Sequence, residues 1–113
     1  MTESEILDLA ERFMGAIPAG DTETVRACYA PGASIWHNND GIEQAVDQNI
    51  KVLNWIARKL PQRHYQVLEA TLPDGTVWAM PACVVVRMKD GAITRLDEYL
   101  DSAQSTALSA LGQ

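Results

Sequence analysis

Apolar residues recur at helical spacing in two stretches of this 113-residue chain and give way to alternation in a third. Thr2 and Glu5 form an S/T-x-x-E capping box, after which Ile6, Leu9, Ala10, Phe13 and Ile17 fall on one helical face. This predicts a first helix ending near Gly15 to Pro18. Asp21 is a fitting N-cap for a short second helix through Val25, Cys28 and Tyr29, stopped by Pro31 and Gly32. Ala33 to His37, with Ile35 and Trp36 between turn residues, reads as a strand. From Gly41 to about Leu60 the 3.6 spacing returns, with Ile42, Ala45, Val46, Asn49, Leu53, Ile56 and Leu60 on one face, and Pro61 ends the helix. Pro73-Asp74-Gly75 and Lys89-Asp90-Gly91 are hairpin signals, which divide the rest into strands at about 63 to 72, 76 to 88 and 92 to 101. Pro81 implies an edge position or a bulge in the second of these. Ser102 can cap a last helical turn through Ala107, Leu108 and Leu111, whose apolar face must dock on the sheet or on another subunit.

Helices first and an antiparallel meander afterwards give a single α+β domain, with three helices covering one face of a curved sheet and the concave side forming a pocket. A composition of 47% apolar residues is enough for one core. The net charge of −6, with no cluster of basic residues, excludes a nucleic-acid footprint. No apolar run approaches the roughly 20 residues of a bilayer crossing, and the acidic N-terminal stretch lacks a signal peptide's basic start, so a cytoplasmic protein is expected. Cys28 and Cys83 have neither C-x-x-C spacing nor a nearby His; two buried thiols are expected rather than a disulfide or a metal site. There is no Gly-rich phosphate loop and no G-x-S-x-G elbow, so the chemistry expected is cofactor-free.

The order helix, helix, strand, long helix, meander, together with Ser34-Ile35-Trp36-His37-Asn38, the segment Pro81 to Val86 and the segment Asp90 to Asp101, resembles the SnoaL-like branch of the nuclear transport factor two superfamily. The resemblance covers nearly the whole chain, and its most specific piece is the last strand, which is similar to the closing strand of the limonene epoxide hydrolases. It implies a cone-shaped α+β barrel, a deep apolar cavity and dimerisation through the outer sheet face. Members of this superfamily usually carry an additional hairpin between the long helix and the strand leading into Pro-Asp-Gly. Here only about a dozen residues join Leu60 to Leu72, so either the hairpin is truncated or residues are missing near 66 and 67.

Alternation in the last strand groups Leu96, Glu98 and Leu100 on one face and Arg95, Asp97, Tyr99 and Asp101 on the other. If the first face lines the cavity, Glu98 is a carboxylate among leucines. Withdrawal from water disfavours a carboxylate's charged form, which suits such a group to acid or base work near neutrality. A strand glutamate is more often a solvated rim charge, but the resemblance assigns Glu98 the place of a catalytic aspartate in the epoxide hydrolases. The same alternation groups Ser34, Trp36 and Asn38. The resemblance implies that Asn38 holds a nucleophilic water, with Trp36 where the epoxide hydrolases have a tyrosine. In the ketosteroid isomerases the position of Asn38 is the aspartate that moves the proton, which an amide cannot do. The resemblance places the Arg-x-Asp pair of the epoxide hydrolases on a middle strand, where the missing hairpin would lie and where the nearest ionisable groups here are Arg63, His64 and Glu69; His64 is the candidate complementary acid. Phe13 and Leu53, on the apolar faces of their helices, complete the candidate lining with Ser34, Trp36, Leu96 and Leu100. His37 falls on the face opposite Trp36, and no H-x-x-x-H spacing points to a metal.

The expectation is therefore an enzyme acting on a small, largely apolar molecule by epoxide-hydrolase-like or isomerase-like chemistry, with Glu98, Asn38 and His64 as the reacting set. The alternative is a non-catalytic ligand-binding or dimerisation module on the same scaffold. Arg95, Tyr99 and Asp101, with Arg87, Val85 and Ile93 among them, mark the other sheet face as the interface of a homodimer.

Overall fold

The structure, a computed structural model, describes residues 1–60, 63–65, 68–71, 74–75, 77–80, 82–101, 103, 106 and 110–112. Helix α1 runs over Glu3–Ala19, with Thr2 Oγ1 accepting from the Glu5 N–H and Gly20 closing the helix in the left-handed conformation at φ 71°. Pro18 falls inside its last turn instead of ending it. Helix α2, Thr22–Cys28, is capped by Asp21, which accepts from both the N–H and the hydroxyl of Thr24. The charge-assisted bonds hold the Asp21 carboxyl below the ordinary carboxylate range.

Strand β1 is longer than its turn residues suggested. It spans Tyr29–His37 and passes through Pro31 and Gly32 by an irregularity in its pairing, with Gly32 at φ 75°. Glu43–Ala45, predicted as the first turn of the long helix, pairs instead with β1 as strand β2. Helix α3 then covers Val46–Lys59, and the Gln48 side chain accepts from the Ala45 N–H at its start. The later strands are β3 (Arg63–Tyr65), β4 (Leu68–Thr71), β5 (Val77–Met80), β6 (Ala82–Lys89) and β7 (Ala92–Leu100).

The architecture is α+β, as the pattern predicts, but it is not one continuous meander. A four-stranded sheet has the order β2-β1-β7-β6, and a three-stranded sheet the order β3-β4-β5. The expected strand at 63 to 72 is two, antiparallel with Tyr65 opposite Leu68, and residues 66 and 67 lie outside the described ones. The expected strand at 76 to 88 is likewise two, in different sheets, with Pro81 between them, a residue without an N–H to give to a ladder. β1 and β7 run parallel, Ile35 opposite Leu96 and His37 opposite Glu98, so the larger sheet is mixed. The predicted last helical turn falls largely outside the described residues; beyond it, the Trp55 indole N–H of α3 donates to the Gly112 carbonyl at 2.9 Å.

Helices α1, α2 and α3 close one face of the larger sheet around a core of Leu9, Phe13, Val25, Cys28, Ile35 and Ile93 and their neighbours. Phe13 meets Tyr29 edge-on, ring centres 5.4 Å apart. Val84 and Val86 reach this core from β6 and Leu96 from β7. A register shift between Arg87 and Met88 breaks the parity of β7, which brings Ile93 to the same side as Leu96 and buries it completely. Ile93 is therefore a core residue and no part of an outer face. Cys83 departs from expectation in the opposite sense, being exposed, while Cys28 is buried. No helix among the described residues is long and apolar enough to cross a membrane.

Candidate active site

The parallel register decides which side chains share a surface. Because Ile35 stands beside Leu96 and His37 beside Glu98, the side of β1 that carries Ile35 and His37 is the side of β7 that carries Leu96, Glu98 and Leu100. Val84, opposite Glu98 on β6, belongs to it as well. Leu96 and Leu100 are buried there. Glu98 thus turns toward the core side of the sheet. Its Oε1 stands 3.0 Å from His37 Nε2, with side chains 26% and 16% exposed respectively, so the pair is largely withdrawn from water. With the proton on Nε2, toward the carboxylate, Nδ1 is left as the basic nitrogen; the contact with Glu98 is an ion-pair distance, and His37 makes no side-chain hydrogen bond among the described residues.

Tyr29 lies at the other end of the same face, buried beside Phe13. Burial, with the Glu98 carboxylate and Cys28 adding to it, raises its phenol well above the ordinary tyrosine value. On the neighbouring edge strand Gln44 pairs with Ile35 and shares its side. The Gln44 Oε1 is buried and accepts no hydrogen bond from the described residues.

Asn38 closes the end of the sheet. Its backbone N–H donates to the Glu98 carbonyl at 3.1 Å, its Nδ2 donates to the Leu100 carbonyl at 3.1 Å, and its Oδ1 accepts from the Leu100 N–H at 2.8 Å. The amide expected to hold a water therefore spends one donor and one acceptor on backbone.

Ser34 and Trp36 do not share the Glu98 side. The register sets Ser34 beside Arg95 and Trp36 beside Asp97, on the sheet's outer face. Arg95 Nη1 donates to Ser34 Oγ at 3.1 Å, and Trp36 meets Tyr99 with ring centres 5.4 Å apart. Arg95 is further tied to Asp97 and Glu43, whose carboxylates raise its guanidinium above the ordinary value. The predicted grouping within each strand holds; joining the two groups in one cavity does not, because a parallel partner in this register brings the odd positions of β1 onto the even positions of β7. Phe13 is packed in the core against Tyr29, and Leu53 is a half-buried residue against that core. His64 stands on β3 opposite Glu69, its side chain outside the described part of the structure. His37 is the residue that sequence reasoning set aside. Its signal was present, since it shares parity with Ile35, but only the pairing of β1 with β7 gives that parity a meaning.

No family model matches the chain, and no curated protein matches it. Solved structures do. IdmH of Streptomyces antibioticus, a candidate polyketide cyclase, is 19% identical with a TM-score of 0.73, over 91% of this chain and 96% of that one. A nuclear transport factor two-like protein of unknown function from Burkholderia pseudomallei is 15% identical with a TM-score of 0.73, over 96% and 98%. AclR of Streptomyces galilaeus, a candidate hydroxylase, is 12% identical with a TM-score of 0.76, over 99% and 89%. Helical cover, mixed sheet and inward-facing last strand together give this chain the fold of the nuclear transport factor two-like superfamily, SnoaL-like proteins included.

Proposed function

We propose that the chain is a cofactor-independent enzyme that moves a proton on a small, largely apolar substrate, with His37 and Glu98 as its acid/base pair. The observation that carries this reading is the 3.0 Å contact between them on the core side of the sheet, beside Leu96 and Leu100. Glu98 orients the imidazole. Nδ1 takes a proton from an activated carbon or a water and returns it to the product. Exclusion of water by the surrounding side chains strengthens the contact within the pair. The unpaired Gln44 Oε1 on the same face suits a substrate with one hydroxyl among its apolar groups. The names of the structural neighbours, candidate polyketide cyclases and a candidate hydroxylase, support chemistry on small molecules. Isomerisation by proton transfer needs only this pair. Epoxide opening is less well supported, because Asn38 is engaged with Leu100 and the Arg-x-Asp of this chain, Arg95 and Asp97, lies on the outer face of the sheet, away from Glu98.

The second reading is a ligand-binding or dimerisation module, favoured by the outer face, where Val85 and Tyr99 are half exposed beside Trp36. Homodimerisation through that face is compatible with either reading. Deuterium exchange into a panel of enolisable ketones, followed by NMR, with a parallel panel of epoxides, separates the two. The enzyme reading expects exchange by the wild-type protein, reduced about 10²- to 10⁴-fold in both Glu98→Gln and His37→Gln. Compounds that bind yet are never converted, with both variants indistinguishable from wild type, would leave the binding module.

A further inference from the structure

We infer that Asn38 is a positioning residue, which fixes the register at which His37 meets Glu98; this rests on the acid/base reading of that pair. β1 ends at His37, and beyond it the backbone turns away through residues 38–40 toward Gly41, whose N–H donates to the His37 carbonyl. A parallel ladder that stopped there would leave its terminal pair free to fray, as strand ends do. It does not stop. The Asn38 backbone N–H makes one more rung, to the Glu98 carbonyl, and the Asn38 carboxamide then stands in for a peptide unit. Like a peptide it presents an N–H and a C=O side by side, and it places them on the C=O and N–H of Leu100 at 3.1 and 2.8 Å. Three hydrogen bonds from one residue thus bracket Glu98, one at its own carbonyl and two at the residue two positions on. Aspartate would keep the acceptor but set a carboxylate oxygen against the Leu100 carbonyl. Alanine would keep only the backbone rung. The function of the amide is then to hold the last turn of the sheet so that a histidine and a glutamate from strands far apart in sequence meet at hydrogen-bond distance.

The test is NMR of the whole chain in wild type, Asn38→Ala and Asn38→Asp, read at the His37 imidazole N–H and the Leu100 amide. The expected result is a protected imidazole N–H in the wild type. In Asn38→Ala, solvent exchange at both sites rises about tenfold or more, the change that one lost hydrogen bond permits; in Asn38→Asp, which keeps the acceptor to the Leu100 N–H, the rise is read at the imidazole N–H, while amides in α1 and α3 keep their protection in both variants. On any substrate the ketone panel identifies, kcat falls and KM holds. Unchanged protection of the imidazole N–H in Asn38→Ala would overturn the inference. So would loss of turnover with that N–H still protected, since Asn38 would then be acting on substrate or water directly. Failure of the acid/base reading is a separate result, namely full activity in Glu98→Gln. Should the alanine variant fail to fold, Asn38→Asp, which loses only the bond to the Leu100 carbonyl, decides the question at the imidazole N–H.

Discussion

The two faces of the β2-β1-β7-β6 sheet are built from the same strands and alternate residue by residue, yet they handle charge in opposite ways. On the outer face Arg95 is shared among Asp97, Glu43 and Ser34, and Trp36 and Tyr99 meet edge-on beside these ion pairs. The charges of Arg95, Asp97 and Glu43 are paired with one another within the face. On the inner face one carboxylate and one imidazole stand among Leu96, Leu100 and Val84, paired with each other and, among the described residues, with no other charge. The difference separates two uses of polar groups. Surface pairs with many partners organise a surface, and screening makes each of them weak. A single pair with water held away is a place where a proton transfer changes the local energy strongly.

The contrast can be broken most forcefully from the inside. Replacing Ile93, fully buried, by alanine is expected to cost about 2–5 kcal/mol in urea denaturation, whereas Val85→Ala on the outer face should stay within about 0.5 kcal/mol. Equal costs at the two positions would mean that the parity break in β7 has been misassigned.

A smaller effect sharpens the outer face. If two copies meet there, Tyr99→Ser weakens self-association by about tenfold or more in sedimentation while the monomer's unfolding changes little. A wild-type protein that is monomeric at high concentration would remove the interface.

The smallest effect is confined to alkaline solution. The Tyr29 phenol is raised in the folded state, so its contribution to stability is complete below the ordinary tyrosine pKa of about 10 and is lost as pH rises through and beyond that value. Tyr29→Phe should match the wild type near neutrality and lose less stability in the alkaline range. Parallel pH profiles for the two proteins would show that Tyr29 ionises as readily folded as unfolded.

What the sequence made legible follows from range. The Thr2 and Asp21 caps, the end of α3 near Leu60 and the turn at Asp90-Gly91 are local events, and each is where local rules put it. Glu43–Ala45 went astray because three residues fit a helical period as well as a strand, and pairing with β1 outweighed propensity. The inward turn of Glu98 was readable from Leu96 and Leu100. Its partner was not. Trp36 and His37 are adjacent, and choosing between them needs the relative register of β1 and β7, which no hairpin connects.

That pairing of the first long strand with the last also bears on how the protein is made. Asn38 and Leu100 are 62 positions apart, and β1 lies between β2 and β7 in the sheet. A nascent chain arrested before residue 92 would hold β1 with one edge unpaired and Ile35 without its companion Leu96, a template for association with other chains. Synthesis must reach β7 before the two halves of the proposed acid/base pair exist on one surface, and joining strands so distant in sequence at the reacting centre slows the formation of that surface.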